Sequence, residues 1–284
     1  MAKSKAIVHG AVSLVNAIAN KKGATMGISL QVEAIVETEP GKGITIQSNN
    51  KTLSSRLVNK TVEKILTKKE IEQNKITIVL KSEIPTGYGL KSSSAISSAV
   101  ALACAKIFKP ELSDQKILLA GVSASKESKV SITGAYDDAC SCYFGGFNVT
   151  DNSKNHLIRS EKIPGNLLSI IFIPKNRKRG NVKKLKILSA VFYNAWKLAK
   201  NSNYWQAMII NGLATATILN SDPKIITDLL EKGAIAASVS GNGPAIAAIV
   251  KKEDEQNVKK VFSLLDGKVI VSKINNKKAE VYEL

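Results

Sequence analysis

The sequence has no long apolar segment, and this absence excludes one class of protein. No run of about 18 or more apolar residues occurs, so we expect no membrane span and no membrane partner. The first residues, Met1-Ala2-Lys3-Ser4-Lys5, lead directly into a strand-like segment. They lack the apolar core and the cleavage site of a signal peptide.

Cysteine is also scarce, with Cys104, Cys140 and Cys142 as the whole set. Three residues make no plausible disulfide framework, and the Cys-x-Cys pair lacks the further ligands that a zinc site needs. A reducing cytoplasm is the simplest setting for such a chain, so we expect a cytoplasmic protein.

Acidic residues are outnumbered, since 41 lysines and arginines face 23 aspartates and glutamates and the formal charge is +18. Such a charge suits nucleic-acid binding, attraction of anionic small molecules, or a lysine-rich surface. The lysines are scattered along the chain, only 5% of residues are aromatic, and no basic helix or zinc motif occurs. We favour the lysine-rich surface, with anionic substrates as a secondary benefit, and expect no nucleic-acid partner.

The G-x-x-x-x-G-K-[ST] signature of P-loop NTPases is absent, but another glycine-bearing loop is present. The stretch Pro85-Thr86-Gly87-Tyr88-Gly89-Leu90-Lys91-Ser92-Ser93-Ser94-Ala95 follows an alternating strand pattern, Ile76 to Leu80, and opens a helical pattern, Ala95 to Ile107. Gly87 and Gly89 let the backbone approach a ligand, and a helix N-terminus attracts anions. This stretch predicts either a phosphate cradle or a serine-capped helix that binds nothing.

Two adjacent carboxylates, Asp137 and Asp138, begin a short helix of small residues that ends at Gly145-Gly146. The helix dipole stabilises acids in a first turn, so capping explains one of them. Either acid could instead face a cleft as a base or a metal ligand. The sequence leaves both interpretations open.

The remaining pattern predicts mixed α and β structure in two lobes. The first lobe passes into the second near Asp151 without a linker, so we expect domains 1–150 and 151–284. The apolar stretch from Ala11 to Ala19 predicts a short helix or a loop over the sheet. The spacing from Lys183 to Lys200 predicts one helix.

Three segments together resemble the motifs of the GHMP kinase superfamily. Pro85 to Ala95 resembles its phosphate-binding motif, P-x-x-x-G-L-x-S-S-A, and Ser240-Gly241-Asn242-Gly243-Pro244-Ala245 resembles its C-terminal glycine-rich motif. The N-terminal segment through Ala11 is similar to its first motif. Within the superfamily, these motifs and Thr133 to Cys140 look like those of archaeal-type shikimate kinases.

The resemblance implies an α+β, two-lobe GHMP kinase fold, with an N-terminal lobe similar to ribosomal protein S5 domain 2 and a ferredoxin-like C-terminal lobe. It implies ATP-dependent phosphorylation of the 3-hydroxyl of shikimate, with Mg²⁺, in aromatic amino-acid biosynthesis. Another kinase of the superfamily, acting on homoserine, mevalonate or a sugar, is an alternative. A non-enzymatic nucleic-acid-binding protein is a weaker one.

The resemblance also implies roles for the phosphate-binding loop. Its backbone N–H groups would hold the nucleotide phosphates, and Ser93 matches the family's Mg²⁺-binding serine. Ser92 and Ser94 either contribute or only cap the helix. Lys91 replaces the glycine usual in sister kinases, and it adds a charge near the phosphates or points to solvent.

Other residues would complete a catalytic site by the same resemblance. Asp137 or Asp138 would orient the acceptor hydroxyl or take its proton. Lys5 matches the lysine that opens the first motif. Glu127 stands where sister enzymes carry a second Mg²⁺ carboxylate, although a solvated helix end explains it as well.

The acceptor's carboxylate calls for arginine, whose planar fork suits it. Arg177 and Arg179 lie in a loop where homoserine kinase is similar in placing substrate arginines, so we expect one of them to bind the acceptor. Gly241, Asn242 and Gly243 would close the site from the C-terminal lobe. The oligomeric state has no signal in the sequence.

Overall fold

The computed structural model describes residues 2–49, 52–131, 135–176 and 180–284. The strands are β1 (Ala2–Val15), β2 (Lys22–Pro40), β3 (Gly43–Ser48), β4 (Asn74–Ser82), β5 (Phe147–Asp151), β6 (His156–Glu161), β7 (Leu167–Pro174), β8 (Ala236–Val239), β9 (Ile246–Lys251), β10 (Gly267–Lys273) and β11 (Glu280–Glu283). The helices are α1 (Ser55–Ile65), α2 (Lys68–Gln73), α3 (Ser92–Phe108), α4 (Asp114–Glu127), α5 (Tyr136–Phe144), α6 (Ser189–Lys200), α7 (Tyr204–Ile218), α8 (Lys224–Glu231) and α9 (Glu255–Ser263).

The first sheet has seven strands, in the order β11-β1-β2-β4-β3, with β5 paired to β2 and β6 paired to β5. Its pairs are antiparallel except β3 with β4. Alternate residues of β1, among them Ala6 and Val8, are fully buried, as a sheet with one covered face requires.

Helix α3 is the central element on the covered face of this sheet. Nearly all of its residues from Ser92 to Ala105 are buried, and most are alanine or serine. Small side chains let the helix lie close to β1, where the Ser4 hydroxyl donates to the Ala103 carbonyl at 2.8 Å. The C-terminal half of α3 is therefore fixed against the start of β1.

The second sheet is antiparallel, in the order β10-β7-β9-β8. Helix α7 packs so closely on β8 that a Cβ at Gly212 would lie 2.4 Å from the Ala237 carbonyl oxygen. A main apolar core runs from the first sheet into residues such as Ile171 and Ile249 of the second. One face of the second sheet therefore shares this core with the first sheet, whereas Ile170 and Phe172 on its other face belong to a second apolar cluster.

Two predicted elements differ from the structure. The expected helix or loop from Ala11 to Ala19 is wrong as far as Val15, because β1 continues there and pairs with β2. This part of β1 is buried on both faces, so its consecutive apolar residues mimic a helical pattern. The helix predicted from Lys183 is a 3-10 helix over Val182–Leu188 before α6 begins at Ser189.

The chain crosses between the lobes more than once. Strands β6 and β11 lie beyond residue 151, yet both belong to the first sheet. The division into 1–150 and 151–284 therefore stays a prediction. In the part of the chain that the structure describes, no helix combines the length and apolar character needed to cross a membrane.

A carboxylate on the inner face of β11 is expected to destabilise the fold. Val281 packs against the main core, whereas Tyr282 on the opposite face is exposed. Val281→Asp should lower the free energy of unfolding by about 2 kcal/mol, because it brings an unpaired polar group to apolar surroundings. Urea denaturation measures the change.

Tyr282→Asp is the matched control, and we expect it to change the free energy of unfolding by no more than about 0.5 kcal/mol. Equal losses in the two variants would contradict the packing of β11 on the core.

Candidate active site

The loop between β4 and α3 has left-handed backbone at three positions, Gly87, Gly89 and Lys91, with φ values of 84°, 86° and 67°. At Gly89 no other residue fits, because a Cβ would lie 1.9 Å from the Ser240 carbonyl oxygen. This glycine therefore permits direct contact between the loop and the turn between β8 and β9, residues 240–245, which we name the C-terminal turn.

Helix α3 begins at the end of this loop with the serines Ser92, Ser93 and Ser94. Lys91 is its N-cap residue and makes no side-chain capping bond to the helix. The first N–H groups of a helix have no acceptor within the helix, and the dipole is positive there. The three serines line a cleft, so these amides are suited to an anion such as phosphate.

The cleft has a volume of about 250 Å³ and is bordered by the loop, the α5 N-terminus, the end of α4 and the C-terminal turn. Its lining consists of Ser13, Asn16, Ala17, Ile18, Gly87, Gly89, Leu90, Lys91, Ser92, Ser93, Ser94, Ser125, Lys129, Val130, Ser131, Ala135, Asp137, Asp138, Gly241 and Asn242. The predicted phosphate loop, both aspartates and the turn thus meet in one cleft.

The C-terminal turn is tied to the loop by hydrogen bonds. The Ser240 hydroxyl donates to the Gly89 carbonyl at 2.8 Å, and the Ala245 N–H donates to the Tyr88 carbonyl at 3.2 Å. Because these bonds join segments about 150 residues apart, the cleft depends on both halves of the chain.

The end of β1 supplies further contacts to the same turn. The Gly241 N–H donates to the Ser13 hydroxyl at 3.0 Å, and the Asn16 side-chain amide donates to the Gly241 carbonyl at 2.7 Å. Asn16 is in turn fixed by Asn211 of α7, which accepts from its backbone N–H at 2.8 Å. These bonds hold the C-terminal turn against the end of β1.

Asp137 is a buried carboxyl group at the start of α5. Asn152 donates from its side-chain amide to Asp137 Oδ1 at 2.6 Å. Burial, reinforced by the adjacent Asp138, raises the pKa of Asp137 to about 7, against the lowering effects of Lys91 and Asn152. This carboxyl group therefore keeps its proton far more readily than an ordinary aspartate.

Asp138 has different surroundings, although it is the next residue. Its Oδ1 lies 2.9 Å from Lys91 Nζ, and its side chain retains 18% of its exposure. The same ammonium donates to the Ser13 hydroxyl at 2.7 Å. Asp138 is therefore the salt-bridged carboxylate of the pair, at the cleft surface.

Other predicted residues are not brought to the cleft. Glu127 pairs with Lys64 on the outer surface, and Lys5 Nζ lies 3.0 Å from Glu33 on β2. Neither residue lines the cleft. The charge of each is matched by a partner outside the cleft, and their catalytic and metal-binding roles stay predictions. Arg177 and Arg179 lie outside the described residues, as does Thr133 of the motif.

Two family models match the chain. The model described as "GHMP kinases N terminal domain" matches residues 56–146, and the one described as "GHMP kinases C terminal" matches residues 211–263. The chain belongs to the GHMP kinase family. The expected α+β, two-lobe GHMP kinase fold is thereby confirmed.

Two shikimate kinases match along nearly the whole chain. The shikimate kinase of Methanosarcina acetivorans is 37% identical over 281 residues, which cover 96% of this chain and 95% of the relative. The shikimate kinase of Pyrococcus furiosus is 34% identical over 268 residues, which cover 92% of this chain and 96% of the relative.

Solved GHMP kinase structures share the fold at low sequence identity. Homoserine kinase from Cytophaga hutchinsonii has a TM-score of 0.77 at 19% identity and covers 99% of this chain and 97% of its own. The mevalonate kinase of Methanococcus jannaschii has a TM-score of 0.75 at 18% identity and covers 96% of this chain and 98% of its own.

The oxygen-rich lining fits a magnesium ion that arrives with a nucleotide. Among residues 2–49, 52–131, 135–176 and 180–284, no group of three or more His, Cys, Asp or Glu side chains could hold a metal by itself. Magnesium typically takes one or two protein ligands together with substrate phosphates and water. The hydroxyl of Ser93 and the carboxylate of Asp138 are the kinds of donor such an ion uses.

Sequence reasoning missed several residues of this GHMP kinase site. Ser13 and Asn16 follow directly on the first family motif, so extending that motif by five residues would have included them. Asn152 lies 15 positions beyond Asp137 and reaches it only because β5 returns beside α5. No local pattern indicates that contact.

The protonation of Asp137 gives a prediction for stability. Between its ordinary pKa of 3.8 and about 7, the folded protein holds a proton that the unfolded chain has released. The resulting stabilisation is lost as the pH rises toward 7 and beyond. Asn in place of Asp keeps an acceptor for Asn152, so Asp137→Asn should melt above the wild type at pH 8, with a smaller gap at pH 5.

Asp151→Asn is the control of opposite sign. Burial favours a higher pKa for Asp151, but hydrogen bonds from Lys22 and Ser153 outweigh it and lower the pKa to about 2. This variant should melt below the wild type at pH 8. A lower melting temperature for Asp137→Asn than for the wild type at pH 8 would contradict the assignment of the buried proton.

Proposed function

We propose that this protein is a shikimate kinase, which transfers the γ-phosphoryl group of ATP to the 3-hydroxyl of shikimate. The main support is the convergence of the α3 N-terminus, Asp138 and the C-terminal turn in one cleft. The choice of acceptor follows relatives named shikimate kinase that are 37% and 34% identical over nearly the whole chain.

The loop from Pro85 to Ala95 binds the nucleotide in this proposal. Phosphoryl transfer requires alignment and neutralisation of charge more than covalent help. Unpaired N–H groups at the start of α3 supply alignment and neutralisation of charge. Gly87 and Gly89 carry no Cβ that would keep the nucleotide away from the loop backbone. Gly241, Asn242 and Gly243 close the site on the acceptor side.

Asp138 is the acid we assign to the acceptor. Its salt-bridged carboxylate can accept the proton of a hydroxyl, whereas buried Asp137 favours its protonated form. As the acceptor oxygen bonds to the γ-phosphorus and the bond to the β-phosphate oxygen breaks, the hydroxyl proton moves to Asp138. Asp137, held by Asn152, fixes the start of α5.

Magnesium supplies neutralisation of the phosphate charge when it is bound, and Ser93 is the loop residue we assign to it. The acceptor carboxylate needs a cation, for which Arg177 or Arg179 stays our prediction. A reducing cytoplasm is the proposed location, consistent with the buried free thiols of Cys104, Cys140 and Cys142.

Acceptor specificity tests the proposal directly. ADP release coupled to a spectroscopic assay is measured with shikimate, homoserine, mevalonate and galactose. We expect kcat/KM for shikimate to exceed that of each other acceptor by at least about 100-fold, because a site built for one acceptor's polar groups rejects others strongly. A higher value for another acceptor would replace shikimate in the proposal.

Removal of the Asp138 carboxylate tests the residue assignment. Asp138→Asn should lower kcat by about 10²- to 10⁴-fold, the range for loss of a positioned acid–base group. Asp228→Asn, at a surface salt bridge on α8, is the control and should leave kcat unchanged. Unchanged turnover in Asp138→Asn would remove the acid from the mechanism.

A further inference from the structure

Lys91 occupies a position where its side chain is costly to accommodate. Its backbone is left-handed, with φ of 67° and ψ of 23°, a conformation that favours glycine. Its side chain retains only 5% of its exposure, and a buried ammonium requires partners. A lysine that merely covered the loop surface would need neither feature.

The partners of the ammonium lie on three different elements. Nζ donates to the Ser13 hydroxyl of β1 at 2.7 Å and lies 2.9 Å from Asp138 Oδ1 of α5. It also lies against the C-terminal turn, where a Cβ at Gly241 would be 2.6 Å away. The left-handed cap therefore turns the side chain toward the acid.

We infer that Lys91 is a positioning residue for Asp138, which holds this side chain in its orientation toward the cleft, and that it does not serve chiefly to bind the nucleotide phosphates. The inference rests on the proposed phosphotransfer but not on the identity of the acceptor. By this inference the ammonium that positions Asp138 comes from the phosphate loop, whereas the Lys5 ammonium forms a salt bridge with Glu33.

The charged groups around Asp138 support this division of roles. Lys91 is the cation in contact with it, and Asp137 is the adjacent acid. The thiols of Cys140 and Cys142 lie on the same helix, and burial raises the pKa of both, so they stay neutral. Without the ammonium, the Asp138 carboxylate would lose the cation that fixes its orientation in this largely buried site.

Lys91→Met removes the charge and keeps most of the side-chain volume. We expect kcat to fall at least about tenfold while the equilibrium dissociation constant of ATP changes by less than about threefold, since a positioning residue acts on turnover rather than on nucleotide binding. Calorimetry measures ATP binding, and the coupled assay measures rates.

The double variant Lys91→Met/Asp138→Asn tests whether the two residues act as one unit. Its kcat should match that of Asp138→Asn alone, because Lys91 then has no carboxylate to position. Lys106→Met, on the same helix but at the surface, is the control and should leave kcat and ATP binding unchanged. Lys91→Gly, which suits the left-handed backbone, replaces Lys91→Met if that variant does not fold.

Two outcomes would overturn the inference. One is a loss of ATP affinity of tenfold or more with little change in kcat, which would assign Lys91 to the phosphates. The other is full additivity in the double variant. If shikimate is not the acceptor, the same comparisons use the acceptor that the wild type phosphorylates.

A readout without turnover completes the test. If no acceptor reacts, the melting temperatures of Lys91→Met, Asp138→Asn and the double variant at pH 7 are compared. The double variant should lose less melting temperature than the sum of the two single losses, because the two side chains are in direct contact. Full additivity of the losses would contradict the inference.

Discussion

The close approach of the phosphate loop to the C-terminal turn is the constraint on which this site depends. A side chain of any size at Gly89 would meet the Ser240 carbonyl oxygen, and the Ser240 hydroxyl in turn bonds the Gly89 carbonyl. The contact closes one wall of the cleft and orients the first turn of α3 toward it. Ser13 near the end of β1 and Asn16 just after it then hydrogen-bond to Gly241 of the turn. The site is thus an interlock of three segments that are distant in the chain.

Burial gives two adjacent aspartates different chemical characters. Asp137 is enclosed beside Gly23 and Asn152, so its protonated form is favoured. Asp138, one position later on α5, lies at the cleft surface and meets an ammonium. Successive residues on a helix point about 100° apart, so neighbouring acids readily fall into unlike environments. Asp137 is thus held inside the protein by Asn152, whereas Asp138 pairs with Lys91 at the cleft surface.

The local parts of this site could be predicted from the sequence, whereas its long-range pairings could not. The glycines and serines of the phosphate loop carry their own signal, since a strand, a flexible loop and a helix follow in order. The phase of α5, which decides between Asp137 and Asp138, depends on packing that no short pattern encodes. Lys5 and Glu127 match family positions, but in the fold Lys5 pairs with Glu33 and Glu127 pairs with Lys64. The apolar end of β1 was ambiguous because both of its faces are covered.

Strand β11 has a consequence for how the molecule forms. Its four residues complete the first sheet by pairing with β1, and the two strands lie at opposite ends of the chain. Such a pairing joins residues about 275 positions apart in the sequence, which raises contact order and slows folding. Until β11 is in place, the edge of β1 that it covers stays unpaired, so the first sheet is completed only when distant parts of the chain have folded together.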